Sequence, residues 1–241
     1  MRNRIVPLAL IALLVILHGQ LWIGRGSIPN VSALTQQLAQ KQALNERERQ
    51  GNERLQAETG CEIAGPEEVR RAAPLDHVLV DGEAVRLGET TFDVVLSPGH
   101  TLGHVAFHFP ALKALFSADS LMTHGCGRLF EGTAEQMFAT IARFNALPAE
   151  TRVLSGHDYA RANLAFAARY APDAPALKAR QADLPRLAEE GLPTTGTTLE
   201  SERLLNPYLR CHLPEVAAAA GLAGADPLSV FAAIRRQKDN A

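Results

Sequence analysis

The chain has 241 residues, 46% of them hydrophobic, and 24 Lys and Arg against 26 Asp and Glu leave a formal net charge of -2. That length holds one or two domains, and the balance excludes a disordered chain and a polyanion binder, because no basic excess exists to neutralise phosphates. Three cysteines, Cys61, Cys126 and Cys211, with no Cys-x-x-Cys spacing, exclude a disulfide framework and a thiolate zinc site.

Residues 5–23 form an apolar run of 19 residues without formal charge, preceded by Arg2 and Arg4. As a helix rising ~1.5 Å per residue the run is about 28 Å long, close to the hydrocarbon thickness of a bilayer. The charges at its start predict a cytoplasmic N-terminus with the rest of the chain outside, and Trp22 suits the far interface. A cleaved signal peptide is the rival reading, but no small-x-small cleavage pattern follows Leu17.

After Gly24, Gly26 and Pro29, residues 31–58 are rich in good helix formers and free of proline. Heptad positions fall at Val31, Leu38, Asn45 and Asn52 (a) and Leu34, Lys41, Glu48 and Leu55 (d). Half of these are apolar, which predicts a weak coiled coil with an Asn-specified register, or else a solvated juxtamembrane helix. With its Leu21-Trp22-Ile23-Gly24-Arg25-Gly26 exit, the segment 1–58 resembles the FtsB/DivIC septum-formation proteins. That resemblance implies a bitopic, non-enzymatic scaffold with a coiled-coil cell-division partner.

From Thr59 the texture changes to short β-like runs at 77–80, 91–96, 105–109 and 115–116, separated by Gly82, Gly88, Pro98 and Pro110. A capping box over Thr133 to Gln136 predicts a helix burying Met137, Ile141 and Phe144. A strand follows at 152–154. Beyond Tyr159 the chain reads as helical at 163–170, in parts of 174–190, and in a last helix opened by Asp226 and Pro227.

Three stretches carry chemistry: Ser97-Pro98-Gly99-His100 with Thr101 to His104, Phe116-Ser117-Ala118-Asp119, and Leu154-Ser155-Gly156-His157 with Asp158 and Tyr159. His100, Asp119 and His157 each stand just past a strand end, where a rigid sheet can aim a side chain at a common point. Imidazole and carboxylate suit Zn or Fe, and a carboxylate can bridge two ions. His104 reads as a supporting residue of this site.

These stretches, with Gly125 to Thr133, Asn206-Pro207-Tyr208-Leu209-Arg210 and Arg235 to Asp239, resemble the metallo-β-lactamase fold and, more narrowly, glyoxalase II, the hydroxyacylglutathione hydrolase family. The resemblance spans about 59–241. It implies an α/β fold in which 59–157 is the second half of an αββα domain and 158–241 a C-terminal helical domain. It further implies that His100, Asp119 and His157 ligate metal, with Asp119 bridging two zinc ions, and that Arg128, Tyr159, Arg235 and Lys238 hold glutathione. Phe130 stands where a tyrosine contact to glutathione is common in the family. The family's remaining ligands come from a His-x-His-x-Asp-His motif, and none of the eight histidines of this sequence lies two residues from another. The expectation is therefore at most one weakly held metal, and a sheet with one apolar face left open.

The sequence thus reads as a membrane anchor (5–23) and coiled coil (31–58) joined to an incomplete hydrolase. The function expected by resemblance is hydrolysis of S-lactoylglutathione-like thioesters, impaired by the missing motif; the alternatives are a division scaffold or a fusion without function. The anchor would place the chain in the inner membrane with its C-terminus periplasmic, whereas the hydrolase family alone implies the cytoplasm.

Overall fold

The computed structural model describes residues 28–71, 73–171 and 174–241, so the apolar run 5–23 lies outside the described residues. The chain divides into two units, Met1–Ile63 with Arg71–Asp76, and Ala64–Arg70 with His77–Ala241.

Among the described residues the first unit presents the helix α1 (Ile28–Thr59), longer than the expected 31–58 because Pro29 sits in its first turn, where a missing N–H costs nothing. Gly60, at φ 66°, donates its N–H to the Gln56 carbonyl at 2.8 Å and ends the helix in the left-handed manner that glycine tolerates. Arg49 pairs with Glu46 and Glu53, each at 2.7 Å, and such i,i+3 and i,i+4 pairs add a few tenths of a kcal/mol apiece. No residue of α1 is buried, and Val31, Leu34, Leu38 and Leu55 of the heptad seam are each just over half exposed. Among the described residues no helix is long and apolar enough to cross a membrane.

The second unit is built on a five-stranded sheet in the order β3-β4-β5-β6-β9. Its strands are β3 (Ala84–Leu87), β4 (Thr90–Leu96), β5 (Val105–Phe109), β6 (Ala114–Ala118) and β9 (Arg152–Ser155). A two-residue parallel pair joins β1 (Ala64–Gly65) to β2 (His77–Val78), and a hairpin joins β7 (Leu121–Met122) to β8 (Gly125–Cys126). Seven-residue β4 pairs antiparallel to β5 through Val95↔Ala106, and β5 to β6 through Phe107↔Phe116; β6 then runs parallel to β9 through Leu115↔Val153.

Alternation along these strands sorts the side chains onto two faces. Ala106, Leu115 and Val153 are fully buried in the main core, beneath α2 (Ala134–Asn145) and α7 (Pro227–Asp239). The capping box of α2 forms as the sequence predicts, and Met137, Ile141 and Phe144 are all buried. Asp226 caps α7 by accepting the Ser229 N–H at 3.0 Å. Phe138 and Tyr208 meet Phe231 edge-on, with centroids 5.6 and 5.2 Å apart. The opposite face carries an aromatic row, Phe92 against Phe107 and Phe109 at 5.0 Å each and Phe109 against Phe116 at 5.3 Å, with Phe116 44% exposed. An open apolar face was expected from the sequence; here Phe92, Phe107 and Phe109 are half-buried and Val94, opposite Phe107, is fully buried, so within this row the face is open only at Phe116.

The remaining helices are α3 (Ala160–Ala167), α4 (Pro175–Glu189), α5 (Leu199–Leu205) and α6 (Pro214–Ala219). Helix α4 is continuous through Pro185, where the sequence suggested separate pieces. The sequence reading did not foresee β3, the β7–β8 hairpin, α5 or α6. Each is too short to show a period.

Candidate functional site

Because β4 and β6 are each antiparallel to β5, they point the same way, and β9 is parallel to β6. The loops after β4, β6 and β9 therefore leave the same edge of the sheet, and they carry His100, Asp119 and His157. His157 Nδ1 lies 2.8 Å from Asp119 Oδ1, and His100 Nε2 lies 3.5 Å from Asp119 Oδ2. The other nitrogen of His100, Nδ1, is 2.8 Å from the carbonyl oxygen of Arg128, which assigns that nitrogen as the N–H donor and turns Nε2 toward Asp119.

Backbone geometry aims Asp119. The β6–β9 register shifts between Phe116 and Ala118, and Ala118 has φ 45°, in the left-handed region that costs a non-glycine residue about 1–2 kcal/mol. Ala118→Gly is expected to raise stability by ~0.5–1 kcal/mol, the relieved strain less the greater unfolded-state entropy of glycine. Urea unfolding measures it, and a lower midpoint would contradict the strain. Gly127 is fixed for another reason: a Cβ there would stand 1.8 Å from the Asp119 carbonyl oxygen and 3.1 Å from His100 Nδ1. The two loops approach closely only because residue 127 has no side chain.

The His100 loop is held by residues that the sequence did not single out. Glu68 accepts the Thr101 hydroxyl at 2.7 Å and the Gly103 N–H at 2.6 Å, and Glu131 accepts the Leu102 N–H at 3.1 Å. His104 Nε2 accepts the Asp119 N–H at 3.1 Å, in keeping with the supporting role expected of it. Burial and then the neighbouring His100 push the His104 pKa down, against the pull of Asp119 and Glu68. Glu68 lies in a 3-10 turn more than thirty residues before its partners, and nothing local in the sequence marks it.

His100, Asp119, His157, Arg128, Tyr159, Arg235 and Lys238 all line one cavity of about 530 Å³. Phe130, 68% exposed, tilts over His100 with centroids 4.8 Å apart, and Tyr159 stacks on His157 at 5.5 Å with ring planes 7° apart. Arg128 is exposed and 3.9 Å from Asp239. Lys238 Nζ donates to the Ala162 carbonyl at 3.2 Å and lies 4.9 Å from the Phe166 ring centroid. Burial, then Arg235, Arg169 and Arg128, lower the Lys238 pKa. Arg235 differs from the rim cation that the sequence suggested. It is 4% exposed and donates to the Cys126 carbonyl at 2.8 Å and to Asp239 at 2.9 Å, so it props the cavity wall. Cys126 in that wall is an unreactive thiol, its pKa raised to about 11 by burial.

Imidazole and carboxylate donors of this kind suit zinc. His157 Nδ1 engages one oxygen of Asp119, and among the described residues no group of three or more His, Cys, Asp or Glu is arranged to hold a metal ion.

Comparison with known proteins bears on the family. The metallo-beta-lactamase superfamily pattern matches residues 35–157, and the hydroxyacylglutathione hydrolase C-terminus pattern matches 158–241. A hydroxyacylglutathione hydrolase of Cereibacter sphaeroides is 46% identical over 190 residues, covering 78% of this chain and 74% of the relative. One from Methylococcus capsulatus is 46% identical over 190 residues with the same coverage, and one from Jannaschia sp. is 46% identical over 183 residues, covering 76% and 72%. The superfamily match begins at residue 35, within the segment that the sequence reading gave to an FtsB/DivIC-like coiled coil, and the matches lend that resemblance, its division partner and an inner-membrane location no support. The chain belongs to the hydroxyacylglutathione hydrolase family of the metallo-beta-lactamase superfamily.

Proposed function

We propose that the cavity binds a glutathione thioester of the S-lactoylglutathione type and that its hydrolysis by this chain is impaired. The observation that carries the reading is the convergence of His100, Asp119, His157, Arg128, Tyr159, Arg235 and Lys238 on a single cavity. Glutathione has two carboxylates, and Arg128 and Lys238 offer charge-assisted donors to them, while the Tyr159 hydroxyl can donate to an amide carbonyl. Phe130 offers ring surface and no donor. One hydrogen bond that a tyrosine would make is absent at that position.

Hydrolysis adds water to the thioester carbonyl: a C–O bond forms, the C–S bond breaks, and the thiolate leaves with the electron pair. In its neutral form His157, with Nδ1–H donating to Asp119, presents Nε2 as the acceptor for the proton of the attacking water. Such general-base assistance is worth about 10²–10⁴-fold by itself, well short of a complete hydrolase.

Calorimetry with glutathione tests the binding. Wild type is expected to bind, and Lys238→Ala to weaken binding roughly tenfold through loss of a charged hydrogen bond, with a smaller loss for Arg128→Ala. Equal affinity in all three proteins would reject this cavity as the glutathione site.

A further inference from the structure

We infer that Glu202 is a positioning residue for this site, acting through the β7–β8 hairpin on the ring of His100. The inference rests on the reading of the cavity as the substrate site, and it starts from a charge that the proposed chemistry leaves unused. Glu202, on α5, is fully buried. One oxygen accepts the Thr197 hydroxyl at 2.6 Å and lies 3.2 Å from His124 Nδ1. The other accepts the His124 backbone N–H at 2.8 Å and the Asn206 side-chain N–H at 2.9 Å.

His124 is in the turn between β7 and β8, with φ 58°. Arg180 donates to its Nε2 at 3.1 Å, so the ring proton sits on Nδ1 and faces Glu202. Asn206, the C-cap of α5, also donates to the Gly125 carbonyl at 3.0 Å and to the Met122 carbonyl at 3.3 Å. The turn is thereby clamped from one side by a single carboxylate and the amide beside it. A buried carboxylate with three hydrogen-bond donors and the His124 ring 3.2 Å away is held in one place, since any movement strands at least one of them.

The far end of the hairpin reaches the site. Strand β8 runs on into Gly127 and Arg128; Gly127 donates its N–H to the Ser120 carbonyl at 3.3 Å, and the Arg128 carbonyl receives His100 Nδ1 at 2.8 Å. Met122, Cys126, Gly127 and Arg128, all on or next to this hairpin, line the cavity. Glu202 touches neither the cavity nor His100. Its influence passes through backbone, and the spacing of Gly127 against Asp119 leaves that backbone little freedom.

The test reads His100 directly. Nitrogen NMR of the imidazole in wild type is expected to give a single tautomer with a hydrogen-bonded Nδ1–H. Glu202→Gln, which keeps size and removes the charge, should move or broaden that signal toward tautomer averaging and weaken glutathione binding about fivefold or more. Val216→Ala, a core change on α6, should lower stability with the His100 signal unchanged. Thr197→Val, which takes away one donor to Glu202 and spares the rest, should shift the same signal by less, and it serves where Glu202→Gln does not fold. A His100 signal in Thr197→Val or Glu202→Gln that superimposes on wild type would overturn the inference. The imidazole spectrum needs no substrate, so a failure to bind glutathione counts against the functional reading and leaves the positioning result standing.

Discussion

Turnover of S-lactoylglutathione by this chain is expected to be at least ~10³-fold below that of a relative such as the Cereibacter sphaeroides enzyme, a difference of about 4 kcal/mol in the barrier. The cause is the composition of the site. Two histidines and one aspartate line the cavity, His157 already occupies one oxygen of Asp119, and the sequence holds no His-x-His-x-Asp-His motif to add donors. On the proposed reading, what the site offers is substrate positioning by the cations and general-base assistance from His157 to the attack of ordinary water. Steady-state assay of the thioester, with and without added zinc, measures the deficit. A rate within tenfold of the relative in either condition would show that the donor set is sufficient.

Glu202→Ala is expected to destabilise the protein by about 3–5 kcal/mol, the cost of leaving the partners of a buried charge unpaired. For a chain of this size that corresponds to a fall in melting temperature on the order of 10 °C. The same residue makes stability depend on pH. Burial opposes the charge on Glu202, but the bonds from His124, Thr197 and Asn206 outweigh it and hold the pKa below the ordinary 4.5. With the folded value depressed, the contribution is fully present above 4.5, because the unfolded chain binds the proton first. It is lost as the pH falls from 4.5 through the folded value. Urea midpoints between about pH 5 and 3 should therefore fall more steeply for wild type than for Glu202→Gln. Parallel curves would mean that the carboxylate is not charged in the native state.

How much was legible in advance varies by element, and the variation has a physical pattern. The helices with local start signals were readable. Thr133 with Gln136, and Asp226 with Pro227, satisfy their own N-terminal N–H groups within four residues, so composition and spacing suffice. The strands 90–96 and 105–109 were readable from apolar runs between Gly and Pro. The 28–59 helix was readable as a helix, but helical propensity is shared by every exposed helix and does not name a partner: of the four apolar heptad positions, Leu38 and Leu55 fall within the superfamily match that begins at 35, and Val31 and Leu34 before it.

The site divides in the same way. Sequence by itself determined which side chains stand just past strand ends, with Pro98-Gly99 before His100, Gly156 before His157 and the apolar run 115–116 before Asp119, and its motifs were enough to place the chain in its family. Only the tertiary structure decided that β4, β6 and β9 run in one direction and so deliver His100, Asp119 and His157 to one point. Strand direction depends on pairing partners far apart in the chain, which local propensity does not encode. Tertiary packing also decided that Arg235 is a buried prop, that Gly127 must lack a side chain, and that Glu68 and Glu202 support loops some thirty and eighty residues away. A charged residue in a sequence carries no sign of its burial; that follows from which donors the fold brings around it, and the cost of an unpaired buried charge is what keeps such donors together.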